Sequence, residues 1–143
     1  MNQPLIADTG GLLRALANNR DGKPTWPEFA SALTKAAAVV VPPLILAEVD
    51  YFLRDQRGAA RRLLAEILDP ATTYELEPIL PEDLARAVQI DEKFSDQEIG
   101  LVDGTVAAIA ERKKIYRVLT IDHAHFRAIR IGSNYRQSIT IVP

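Results

Sequence analysis

The apolar and polar positions of this chain change period several times, and each change predicts an element. "PLIA" at residues 4–7 is a short apolar run cut off by Asp8, which reads as a buried strand. In "GLLRALANN", Leu12, Leu13 and Leu16 share one side of a helix. "NRDGKP" at residues 19–24 is a turn. "PTWPEFASALTKAA" spaces Trp26, Phe29 and Leu33 by three and four, which predicts a second helix with Thr25 as its cap. "AVVVP" is short and β-branched, as a strand requires. "PPLILAEVDYFLRD" opens a helix on proline and turns Leu44, Val49, Phe52 and Leu53 inward. Asp55 to Gly58 interrupts the pattern, "AARRLLAEIL" resumes it, and Pro70 ends it. "TTYELEPI" is a third strand. "LPEDLARAVQIDEKF" is a helix with Leu84, Ala87, Val88 and Phe94 inward, and "IGLVDGTVAAIAERKK" is another with Val102, Val106 and Ile109 on one face. "YRVLTID" is a strand, "HAHFRAI" a short helix or turn, and "SITIVP" a last strand.

Strands and helices by turns argue for an α/β fold, with a mostly parallel central sheet covered by helices on both faces. No linker, repeat or low-complexity segment divides the 143 residues, so a single domain over 1–143 is expected. Apolar residues make up 48% of the chain, enough for one substantial core. Cysteine is absent, which excludes disulfides, thiolate metal sites and cysteine nucleophiles. Two histidines, His123 and His125, are too few for a His-rich zinc site. No run is long enough to span a membrane and no leader is evident, so a cytoplasmic location is expected.

A net charge of −2 excludes a generic basic coat, but the charges are unevenly placed. Residues 75–103 hold nine acids and two bases, while residues 112–143 hold seven bases and one acid, Asp122. Arg54, Arg57, Arg61 and Arg62 form another basic group.

Four acids stand in core-like surroundings. Asp8 closes the first strand and Asp122 comes just after the strand "YRVLTI". Glu48 lies within "LILAEVDYF" and Asp103 within "IGLVDGTVAAIA". In a parallel sheet, sites gather beyond the carboxyl ends of the strands. Carboxylates brought together there would repel one another unless a cation relieved them, and an all-oxygen set suits Mg²⁺ or Mn²⁺. Each acid also has a plainer reading. Asp8 and Asp122 are candidate helix caps, Asp103 precedes a glycine, and Glu48 has Asp50 two positions away as a rival.

Taken together, "IADTGGLLRAL", "PPLILAEVDYFL", "FSDQEIGLVDGTVAAIAER" and "VLTIDHAHFRAI" resemble the PIN domain, and within it the VapC toxins of prokaryotic toxin–antitoxin pairs. The resemblance implies a three-layer fold and assigns Asp8, Glu48, Asp103 and Asp122 as catalytic, metal-binding acids. It selects Glu48 over Asp50, makes Thr9 and Thr120 supporting hydroxyls, and adds Asp96 as an upstream acid. It implies an Mg²⁺- or Mn²⁺-dependent endoribonuclease acting on RNA such as tRNA or rRNA, a cognate antitoxin, and a homodimer. Arg112, Lys113, Lys114 and Arg117 are candidate RNA contacts, with the Arg54–Arg62 group as the alternative; that group is equally suited to an antitoxin's acids. His123 and His125 stand where the family often has an acid or a base, and both are expected at the surface. Gly104 stands where the family often has alanine. Trp26 is a candidate interface anchor.

Other classes fit less well. A haloacid-type phosphatase needs a second Asp two residues after the first, where this chain has Gly10. A receiver-type domain needs adjacent early acids and a late lysine, and no lysine comes after Lys114. A non-catalytic RNA- or protein-binding scaffold and a stand-alone nuclease outside a toxin pair both stay open.

Overall fold

The structure is a computed structural model, and it describes residues 2–143. Its strands are β1 (Leu5–Ala7), β2 (Val39–Val41), β3 (Tyr74–Leu76), β4 (Arg117–Leu119), β5 (Arg130–Ile131), β6 (Gln137–Ser138) and β7 (Thr140–Val142). Five of them form a parallel main sheet in the order β3-β2-β1-β4-β7. The short strands β5 and β6 pair antiparallel as a second, separate sheet. The helices are α1 (Thr9–Leu16), α2 (Pro27–Lys35), α3 (Pro43–Phe52), α4 (Arg57–Leu68), α5 (Pro81–Lys93), α6 (Gly100–Lys113) and α7 (His123–Ala128). No helix of the described residues is long and apolar enough to cross a membrane.

The main sheet is central and buried. Every residue of β1 and β2 is buried, as are Val118 and Leu119 of β4, which is why these strands read as unbroken apolar runs. Ile6 is in register with Val40 on one side and Val118 on the other, so the carboxyl ends of β1, β2 and β4 lie at one edge. The Asp8 amide donates to the Leu119 carbonyl at 3.0 Å and fixes that edge.

Two glycines permit close packing around it. A Cβ on Gly11 would lie 2.1 Å from the Leu119 carbonyl oxygen, so only glycine lets α1 leave β1 pressed against the end of β4. A Cβ on Gly104 would come within 3.1 Å of the Ala87 Cβ, so the small residue there brings α5 and α6 together. The departure from alanine at position 104 therefore has a packing role.

Several expected details differ. The first helix begins at Thr9 and ends at Leu16, before the two asparagines. Trp26, not Thr25, occupies the N-cap position of α2, and no side chain caps that helix. Phe52 points outward, 60% exposed, while Ile45 and Val49 are the buried residues of α3. On α5 the buried residues are Asp83, Ala87 and Ile90, whereas Leu84 and Val88 are exposed. The reason is the close contact at Gly104, which turns the small Ala87 toward α6. The segment "SITIVP" divides at Ile139 between β6 and β7.

Candidate functional site

Asp8 sits at the N-cap position of α1, yet its side chain makes no capping bond. It is 5% exposed, and its Oδ2 accepts a hydrogen bond of 2.7 Å from the Thr120 hydroxyl. The Asp122 amide donates to the Thr120 oxygen at 2.9 Å, so one hydroxyl ties the end of β1 to the loop after β4. The neighbouring Thr9 hydroxyl donates to Glu48 Oε1 at 2.6 Å, which draws the middle of α3 toward the same edge. Thr9 and Thr120 therefore both bond to acids rather than only finishing helix or strand ends.

Asp103, in the first turn of α6, meets His125 of α7. Nδ1 of His125 lies 2.8 Å from Asp103 Oδ2 and 2.9 Å from Asp122 Oδ2. Asp122 does cap α7, because its Oδ1 accepts the His125 amide at 3.1 Å. The plainer reading of Asp122 and its place in the cluster thus hold together, one oxygen serving each. The surface expectation for His125 is corrected. Its ring is drawn in because a residue three positions after a capping Asp faces the cap's carboxylate. His123 is exposed.

The electrostatics link the acids through Asp8, which feels Glu48 and Asp122 and in turn acts on Asp103. Burial raises the pKa of Asp8, the Thr120 hydroxyl and the Thr9 backbone oppose this, and the charges of Glu48 and Asp122 raise it further. Burial also lifts Asp103 to about 7, against the hydrogen bond from His125 and with the charges of Asp8 and Asp122. The His125 pKa is raised, first by its bond to Asp103 and then by the charges of Asp122 and Asp103 and the Gln97 backbone, against some burial. Among the described residues, no lysine or arginine lies within ion-pair distance of Asp8, Glu48, Asp103 or Asp122. One ligand atom each from Asp103, Asp122 and His125 lies within 4.8 Å of the others, a spacing that a single metal ion spans. Carboxylates held together with only an imidazole, and no arginine or lysine, to offset them suit a hard divalent cation, so these residues fit such an ion.

Other candidates fall elsewhere. Asp96 is exposed in a short turn, and its carboxylate accepts from the Gln97 side chain at 3.4 Å. Asp50 is exposed and pairs with Arg57 at 2.8 Å. Most of the candidate RNA contacts after Ala110 are engaged within the fold. Arg112 holds Asp83 through two bonds of 3.0 Å and Lys113 holds Glu77 at 3.0 Å. Arg117 donates to the carbonyls of Gln3 and Pro4. Lys113 and Lys114 end α6 about 15 Å along its axis from Asp103, at about 1.5 Å per residue. Arg61 and Arg62 are exposed on α4, and Arg54 stacks on Tyr51 at 4.2 Å. Trp26 is 41% exposed and is covered on one face by the Arg14 guanidinium at 4.1 Å.

Residues 5–131 match the PIN domain family. The chain is 33% identical over 143 residues to ribonuclease VapC26 of Mycobacterium tuberculosis, covering 97% of this chain and 100% of that protein. Its fold is similar to the crystal structure of M. tuberculosis VapC20, a Sarcin-Ricin loop cleaving toxin, with a TM-score of 0.65 at 20% identity over 83% of this chain and 90% of that one. Family match, relative and fold agree with the acid-lined sheet edge: the chain belongs to the PIN-domain family, in its VapC branch.

Proposed function

We propose that this chain is a metal-dependent endoribonuclease that cuts RNA phosphodiester bonds as the toxin of a toxin–antitoxin pair. One observation carries the reading: Asp8, Glu48, Asp103 and Asp122 come from four separate segments to one sheet edge, and among the described residues no arginine or lysine pairs with them. The ribonuclease relative supports RNA as the substrate class, and the sarcin–ricin loop that VapC20 cleaves supports structured RNA such as rRNA or tRNA.

Asp8, Asp103 and Asp122 would hold Mg²⁺ or Mn²⁺, with Glu48 completing the pocket. A divalent cation bound there would supply Lewis acidity, lowering the pKa of a water molecule and offsetting charge on the phosphate and the leaving oxygen. The chain's own groups supply the order. Thr120 fixes the Asp8 carboxylate, and Thr9 fixes Glu48. Burial of Asp8 and Asp103 disfavours their bare charge, which a bound proton or cation would offset. Arg54, Arg61 and Arg62 offer exposed phosphate contacts in place of the residues committed to the flank of α6. An antitoxin partner, a homodimer and a cytoplasmic setting complete the proposal.

The test is cleavage of total RNA by protein freed of any antitoxin, with Mg²⁺ or Mn²⁺, against EDTA and Asp8→Asn controls. Activity lost in both controls supports the reading. Activity that survives Asp8→Asn defeats it. Retained folding without metal binding would favour the scaffold alternative.

A further inference from the structure

We propose that His125 is a nitrogen ligand of the cation held by Asp103 and Asp122, and that it biases this centre toward Mn²⁺ over Mg²⁺. The inference rests on the metal-dependent reading above and adds a residue and a selectivity to it.

The spacing that now carries hydrogen bonds also suits a shared ion. Nδ1 of His125 lies 2.8 Å from Asp103 Oδ2 and 2.9 Å from Asp122 Oδ2. Two donors in adjacent positions on an octahedral ion with bonds of about 2.05 Å are about 2.9 Å apart. A cation entering between the two carboxylates therefore meets the imidazole nitrogen at ligand spacing without rearrangement of α7.

The ring is also held in place. Its own amide is fixed to Asp122 Oδ1, and the next residue, Phe126, is fully buried and anchors the helix. A histidine ligand commonly has a backbone or carboxylate partner that sets its orientation. His123, two residues earlier and exposed, is the internal control.

The selectivity comes from donor chemistry. Mg²⁺ takes oxygen ligands, demands near-ideal geometry and gives up water reluctantly. Among divalent transition ions Mn²⁺ binds nitrogen most weakly, but Mg²⁺ holds oxygen and water more tightly still, so an imidazole adds more affinity for Mn²⁺ than for Mg²⁺.

Pulsed electron paramagnetic resonance of the Mn²⁺-loaded full chain tests the ligand directly. Modulation from a directly bonded ¹⁴N is expected in the unmodified protein and in His123→Asn, and is lost in His125→Asn. Calorimetric titration should show Mn²⁺ affinity falling about tenfold or more in His125→Asn, with Mg²⁺ affinity falling less. Bound Mn²⁺ without nitrogen coupling overturns the ligand, even if EDTA-sensitive RNA cleavage persists. Equal weakening of both ions overturns the selectivity. Failure of the unmodified protein to bind either ion removes this inference and the nuclease reading together. The spectrum of the unmodified protein needs no variant to fold.

Discussion

Two groups of acids meet helix α6, one near its start at Asp103 and one near its end at Glu111 and Arg112, and they are treated in opposite ways. On the flank toward α5, Asp83 is 3% exposed and takes two bonds from Arg112, while Glu111 takes the Arg86 guanidinium and the Gly132 amide. At the sheet edge, Asp8 and Asp103 are buried or half-buried beside Asp122 and Glu48, with one histidine and two threonines for partners. A buried carboxylate with an arginine is complete within the fold, whereas one facing other carboxylates is complete only with a cation. Burial alone separates neither group. The identity of the partner does.

Exchanging the loss between the two groups should exchange the phenotype. Asp103→Asn should lower RNA cleavage by on the order of a thousandfold, through loss of metal-borne stabilisation. Its melting temperature without metal should hold or rise, because a buried like charge is gone. Arg112→Ala should do the reverse. It leaves Asp83 buried and unpaired, for a loss of about 3 kcal/mol, or roughly 10 °C. Cleavage per folded molecule should stay near that of the unmodified protein. Thermal melts and initial rates on both variants decide it, and a stable Arg112→Ala protein would sink the contrast.

The two regions also differ in how far the sequence revealed them. The edge was legible because a parallel sheet gathers the ends of its strands on one side, and Asp8 and Asp122 each stand at the end of an apolar run. His125 was expected at the surface, and its spacing of three from a capping Asp is the signal that places its ring against the carboxylates. The flank was not legible. Asp83 and Arg112 are 29 residues apart, and nothing local pairs them. Their union depends on Gly104 letting α5 settle against α6, which also decides that Ala87 rather than Leu84 faces inward. Composition placed the bases after Ala110 and could not show that acids of the preceding segment would claim them.

Changing pH should act on the edge and spare the flank. Burial raises Asp103 from 3.8 to about 7, so its favourable contribution is complete below about pH 4 and is lost as pH rises through 7. The raised pKa of His125 works in the same direction. Metal-free protein should therefore melt several degrees lower at pH 8 than at pH 5. The stabilisation added by Mn²⁺ or Mg²⁺ should grow over the same range, since the ion replaces protons. A melting temperature that is flat with pH in EDTA would mean that the edge acids are not under strain.

The finest comparison lies between the two threonines of the edge. Thr120→Val removes the hydroxyl that fixes buried Asp8 and accepts the Asp122 amide, so two groups lose a partner with little water to replace it. Metal affinity and cleavage should each fall about tenfold. Thr9→Val removes one bond to Glu48, which is exposed enough to be solvated instead. Cleavage should then fall only about two- to threefold, the effect of a net hydrogen-bond contribution of about 0.5 kcal/mol. Single-turnover rates at saturating metal separate the two. An equal loss in both variants would place Glu48 in the inner set with Asp8, and would move the boundary between groups that fix ligands and groups that only approach them.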